Sequence, residues 1–105
     1  MAFRNTNRIK KKILQWIQPF SPEKVYLFGS WARNEADELS DLDLVIIKKT
    51  SAPFFERLRQ ASECFPAEAG AVDLFVYTPE EFSQMKEEGN VFIQTIEEEG
   101  NLIFG

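Results

Sequence analysis

Along the chain, the spacing of apolar positions switches between helical and extended periods, and the switches outline the elements. From Asn5 to Gln18, Ile9, Ile13, Trp16 and Ile17 recur at helical spacing with lysines on the other side, predicting an amphipathic helix that Pro19 and Pro22 end. Lys24 to Phe28, rich in Val, Tyr and Phe, suits a first strand. Gly29 breaks it, and Ser30 is placed to cap a short helix through Arg33 or Asn34. Leu42 to Ile47 is apolar on both alternating faces, as expected of a central strand covered on two sides, and Lys48-Lys49 marks its exit to solvent.

The second half follows the same logic. Pro53 opens an amphipathic helix whose Phe54, Leu58, Ala61 and Phe65 fall on one stripe, and Pro66 closes it. Val72 to Tyr77 reads as the third strand. Thr78-Pro79-Glu80-Glu81 combines a capping threonine, proline at the first helical position and a glutamate three residues after the cap, so a helix starts there. Gly89-Asn90 interrupts it, a further turn carries Phe92, Ile93 and Ile96, and Gly100 stops that turn before a short apolar end, Leu102-Ile103-Phe104. Helices alternating with short strands in 105 residues predict a single domain of the α/β or α+β class, a small mixed sheet flanked by helices.

Composition narrows the function. The net charge of -5 argues against a protein that coats nucleic acid, although seven of the twelve basic residues lie between Met1 and Arg33. Arg4, Arg8, Lys10, Lys11 and Lys12 form either a solvated helix face or a local docking face. One Cys and no His exclude internal disulfides, histidine-based catalysis and ordinary zinc sites, so any metal must be held by oxygen. Cys64, beside Phe65, reads as a small buried hydrophobe. No apolar run is long enough to span a membrane and the basic start lacks a signal core, which places the protein in the cytoplasm.

Candidate chemistry is concentrated at the start of the central strand. Asp41 and Asp43 are separated by one residue, so on an extended backbone they share a face about 6.5 Å apart. At an effective dielectric near 20 they repel by roughly 2 to 3 kcal/mol, a strain that a divalent cation with oxygen ligands at about 2.1 Å relieves. Alternation along the third strand puts Asp73 on one face with Phe75 and Tyr77. If that strand lies beside the central one, Asp73 completes a three-carboxylate cluster of the kind used with two cations in phosphoryl or nucleotidyl transfer.

Gly29-Ser30, ten intervening residues, Asp41-x-Asp43 before an apolar strand, and a later Asp73 in Val-Asp-Leu together resemble the minimal nucleotidyltransferases of the DNA polymerase beta-like superfamily. The resemblance covers nearly the whole chain. It implies a nucleotidyltransferase fold and transfer of a nucleoside monophosphate from an NTP, with ATP the expected donor, to an acceptor hydroxyl with release of pyrophosphate. It further implies that Asp41, Asp43 and Asp73 hold two Mg²⁺ ions and serve as the catalytic carboxylates, with Asp73 also helping to remove the acceptor's proton. Gly29 and Ser30 would hold the triphosphate, Arg33 would neutralise phosphate charge, and Ser40 would lie with them at the nucleotide. Asn34 departs from a glycine common in the family, which affects only the loop shape. Relatives of this size often pair with a small helical HEPN-domain protein, and in some pairs the transferase is an antitoxin that adenylylates the helical toxin.

Competing readings explain less. A turn at Ser40-Asp41 and a strand end at Gly29 account for those residues singly but leave Asp73 unexplained. Aspartate-nucleophile phosphatases carry their aspartates after an apolar strand, whereas Asn34 to Ser40 is polar and the strand follows. A helix-loop-helix calcium loop needs a glycine where Ile46 stands and oxygen ligands further on. Trp31 either stacks on a base, docks a partner or packs on the sheet. Phe54, Phe55 and Phe65 are expected in the core, and Arg57 and Arg59 on the surface. A second class of function stays open: a catalytically weak module that neutralises or scaffolds a helical partner. The acceptor, the base preference and the oligomeric state are not legible here.

Overall fold

A computed structural model describes residues 6–29, 31–32 and 41–105. Its elements run α1 (Thr6–Ile17), a 3-10 turn (Gln18–Phe20), β1 (Lys24–Phe28), β2 (Leu42–Ile47) and α2 (Phe54–Ser62). A second 3-10 turn (Ala67–Ala69) then leads to β3 (Val72–Tyr77), α3 (Pro79–Glu87), α4 (Val91–Glu99) and β4 (Asn101–Phe104). The strands form one mixed sheet in the order β3-β2-β1-β4. β1 runs antiparallel to β2 and β4, and β2 runs parallel to β3. A parallel pair needs a crossover rather than a hairpin, and α2 with the turn after it supplies that connection.

The sheet separates two apolar clusters. On one face Val25, Leu27, Leu42, Leu44, Ile46 and Val76 meet Ile13 and Ile17 of α1 and Ala61 of α2. On the other, Val45 and Ile47 meet Ile96 of α4, with Tyr26, Phe28, Phe75, Tyr77 and Phe82 around them. Both faces of β2 are thus covered, and Leu44, Val45 and Ile46 are fully buried, as its unbroken apolar run predicts.

Local signals hold where capping chemistry is explicit. The Glu81 amide donates to Thr78 Oγ1 at 3.1 Å, and the Thr78 amide donates to Glu81 Oε1 at 2.9 Å, completing the expected capping box of α3. Gly89, in a left-handed conformation (φ 75°), ends that helix. Asn90 then starts α4 by accepting from the Ile93 amide at 3.1 Å.

Three expectations are corrected. The terminal Leu102-Ile103-Phe104 is part of β4, an edge strand that pairs with β1 across a bulge between Val25 and Tyr26. The run is short and does not alternate in sequence, so periodicity could not reveal it. Phe54 and Phe55 are 39% and 80% exposed, because α2 turns Arg57, Leu58 and Ala61 inward instead.

Arg57, expected at the surface, is 7% exposed. Its Nε donates to the Ala52 carbonyl at 2.7 Å, and its terminal nitrogens donate to Glu81 Oε1 at 2.7 Å and Oε2 at 3.2 Å. A planar guanidinium therefore ties the entry of α2 to the capping box of α3, a bidentate geometry that lysine could not copy. Arg59 is exposed as expected and pairs with Glu56 and Glu63 along its own helix. No helix among the described residues is long and apolar enough to cross a membrane.

The clasp yields a prediction about stability. Arg57→Met should lower it by about 2 kcal/mol through loss of charged hydrogen bonds, read as a lower urea midpoint at neutral pH. The hydrogen bond from Arg57, followed by the bond from Thr78, holds the Glu81 carboxyl below its ordinary value of 4.5 despite opposing desolvation. Its contribution is then complete above that ordinary value and is lost as pH falls through the lower folded one. Glu81→Gln should flatten this part of the acid limb; an unchanged acid limb would mean that the clasp is energetically idle.

Candidate active site

The backbone positions of the three aspartates lie at the end of the sheet where β2 and β3 begin and β1 finishes. Parallel pairing aligns Leu42 with Val72 and Asp43 with Asp73. It is anchored by the Leu42 amide, which donates to the Ala71 carbonyl at 3.0 Å. In-register residues of neighbouring strands point to the same side about 4.8 Å apart, so Asp43 and Asp73 stand next to each other. Two like charges placed side by side repel each other. Asp41 stands one residue before β2 and is exposed, as is Asp73, while Asp43 is half-buried.

Gly29 closes the site from β1. Phe28 is the antiparallel partner of Asp43, which brings the glycine after it against the aspartate side chain. A Cβ built on Gly29 would overlap Asp43 Oδ2 and lie 3.1 Å from its Cγ. The residue also holds φ at 75°, and its carbonyl accepts from the Ala32 amide at 3.1 Å to form a turn. Both the left-handed backbone and the close approach require glycine. The turn expected to hold phosphate and the carboxylate expected to hold metal are thus in contact.

Ser30, Arg33 and Ser40, the other expected nucleotide-binding residues, lie outside the described residues, as do Asn34, Arg4 and the short helix expected after Ser30. Among the described residues no three Asp, Glu, His or Cys side chains come together closely enough to hold a metal ion. The backbone aligns Asp43 with Asp73 and puts Asp41 two residues from Asp43, but the carboxylates are not drawn into one ligand set. By donor chemistry the three fit a hard cation such as Mg²⁺, which takes carboxylate and water oxygen and has no use for the nitrogen and sulfur this region lacks.

Trp31 packs against the α1 and α2 cluster, on the sheet face away from Asp43, and its indole Nε1 is buried without a hydrogen-bond partner. Packing on the sheet is therefore the reading that the structure supports. Aromatic rings on the aspartate face come from elsewhere. Phe28, Phe75 and Phe92 meet with ring centroids 5.0 to 6.2 Å apart. Alternation had put Phe75 on the face of Asp73, but the sequence had no means of bringing Phe92 to it.

Comparison with known proteins agrees with this architecture. A family model described as polymerase beta, nucleotidyltransferase matches residues 11–105. A protein of Methanocaldococcus jannaschii named "Putative protein adenylyltransferase MJ0435" is 30% identical over 73 residues, covering 70% of this chain and 78% of that protein. The crystal structure of a "putative nucleotidyltransferase" from Sulfolobus solfataricus superposes with a TM-score of 0.60 at 23% identity, covering 92% of this chain and 80% of that one. A toxin-antitoxin structure with AMP-PNP gives a TM-score of 0.57 at 22% identity over 97% of this chain and 74% of that one. At these identities the two structures establish a common fold.

The contact between Gly29 and Asp43 is testable without an activity assay. Gly29→Ala should cost about 1 to 2 kcal/mol from the left-handed backbone alone, and more from overlap with the carboxylate. Because Asp43→Ala removes the overlapping atoms, the glycine substitution should cost less in that background, giving a non-additive double-mutant cycle in urea unfolding. An additive cycle would place the two residues out of contact.

Proposed function

We propose a reaction for this chain, which belongs to the polymerase beta nucleotidyltransferase family: it moves AMP from ATP to a hydroxyl on another molecule and releases pyrophosphate. The observation that carries the reading is the alignment of Asp43 with Asp73 across β2 and β3, with Gly29 packed on Asp43. Adenine as the donor base is favoured by the adenylyltransferase name of the archaeal relative. The toxin-antitoxin neighbour favours a partner protein as acceptor, and the resemblance to minimal nucleotidyltransferases makes a small helical HEPN-type protein the expected one. The cytoplasm is the compartment that suits this chemistry.

Asp41, Asp43 and Asp73 would hold Mg²⁺, two ions in the full site, with water filling the remaining positions. When bound, such ions neutralise phosphate charge and orient the in-line displacement. The chain's own parts divide the remaining work. Gly29, without a side chain, leaves its turn open to the triphosphate, with Ser30, Arg33 and Ser40 as further phosphate contacts. Asp73 is exposed at the rim of the edge strand β3, where an acceptor on another molecule can reach it. As the acceptor oxygen bonds to the α-phosphorus and the bond to the bridging oxygen breaks, Asp73 takes the hydroxyl proton and pyrophosphate leaves with the electron pair.

A second reading, a binding module with weak catalysis, draws on apolar side chains left in solvent, Phe55 at 80% and Val91 at 73% exposed. One experiment separates the two. With α-labelled ATP, Mg²⁺ and the protein encoded beside this one, the wild type should label that protein. Asp43→Asn and Asp73→Asn should each reduce labelling by about a thousandfold, the equivalent of several kcal/mol of transition-state stabilisation. Chelation of Mg²⁺ should abolish it. Neutralisation of the partner by a transfer-dead variant within an intact complex would favour the binding reading, and equal labelling by the variants would refute the assigned carboxylates.

A further inference from the structure

We propose that Phe28, Phe75 and Phe92 form the surface on which the base of the nucleotide stacks, an inference that rests on nucleotidyl transfer at the neighbouring aspartates. The three rings come from β1, β3 and α4 and meet at one end of the sheet. Phe75 and Phe92 lie 5.0 Å apart between centroids, Phe28 and Phe92 5.6 Å, and Phe28 and Phe75 6.2 Å, with interplanar angles of 54°, 80° and 50°. Their position follows from the strand register. Phe28 is the direct partner of Asp43, and Phe75 lies two residues beyond Asp73 on the same face. Phe28 thus flanks Asp43 directly, and one strand repeat of about 6.5 Å separates Asp73 from Phe75. A ribose bridges such a gap between a phosphate bound beside the carboxylates and its base.

Val45, Ile47 and Ile96 at the centre of this cluster are closed to solvent, whereas Phe28, Phe75 and Phe92, packed around them, are each half-buried. Aromatic rings at the open edge of a cluster, beside charged groups, keep π surface available to a planar ligand. Phe92 is held by α4, whose start is fixed by the Asn90 cap, so the platform is in place before any ligand arrives. Phenylalanine has no donor or acceptor for a base edge. Recognition by this surface is consequently stacking without hydrogen-bond readout, so purines bind better than pyrimidines by contact area and adenine is separated only weakly from guanine.

The test measures binding of Mg-ATP, Mg-UTP and Mg-tripolyphosphate, the last having a phosphate tail without a base, to wild type, Phe92→Leu, Phe92→Trp and Phe75→Leu. Leucine keeps an apolar side chain in the cluster but removes the π face. Phe92→Leu should weaken Mg-ATP by about tenfold, weaken Mg-UTP less and leave Mg-tripolyphosphate unchanged. Phe92→Trp should restore Mg-ATP, and Phe75→Leu should repeat the leucine pattern from the strand side. Unchanged Mg-ATP binding in both leucine variants, or an equal loss for tripolyphosphate, overturns the platform while leaving the transferase site intact. A wild type that binds neither Mg-ATP nor Mg-tripolyphosphate overturns the transferase reading and the platform together.

Discussion

The pairing of β2 with β3 places two like charges, Asp43 and Asp73, side by side at the edge of an otherwise apolar sheet. Strand pairing and the neighbouring Gly29 turn fix that juxtaposition. A strand buried on both faces has little alternation to set its register, because sliding it exchanges one apolar residue for another. Asp43 removes the ambiguity. It is the one charged side chain of β2, and only at the rim, beside the Gly29 turn, does it escape the buried interior. Backbone bonds at both ends complete the alignment, from the Leu42 amide to Ala71 and from the Lys48 amide to Tyr77.

Stabilising polar contacts lie at the opposite end of the same strands. There Arg57 joins the entry of α2 to the capping box of α3, immediately after β3. Lys48, immediately after β2, donates to the Phe20 carbonyl and lies 4.8 Å from the centre of its ring. The carboxylate end thus brings like charges together, while the far end is tied by charge-assisted bonds. This division leaves the open end solvent-accessible without loosening the sheet.

What could be read from the sequence follows from how local each signal is. The capping box of α3, the core side of α1 and the central strand were legible because threonine, proline, glutamate and apolar spacing act within one element. The aspartate face was legible to the same degree, since alternation fixes Asp43 and Asp73 within their strands. Their adjacency was not, because it depends on which strands pair. The same limit hid Arg57, whose burial requires β3 and α3 to meet α2. It hid β4 as well, because a short apolar terminal stretch becomes an edge strand only when β1 offers a free edge.

The aromatic face shows how distance in sequence can conceal a cluster of side chains. Phe28, Phe75 and Phe92 come from three separate elements and have no common motif, yet their rings meet. Two of them are positioned by the strand pairing that aligns the aspartates, and the third is brought in by α4 packing on the sheet. A change in register would therefore separate carboxylates and rings together, because Asp43 and Phe28 are paired across β1 and β2 while Asp73 and Phe75 share β3. The adjacency of the carboxylates and the meeting of two of the rings are thus consequences of one pairing scheme.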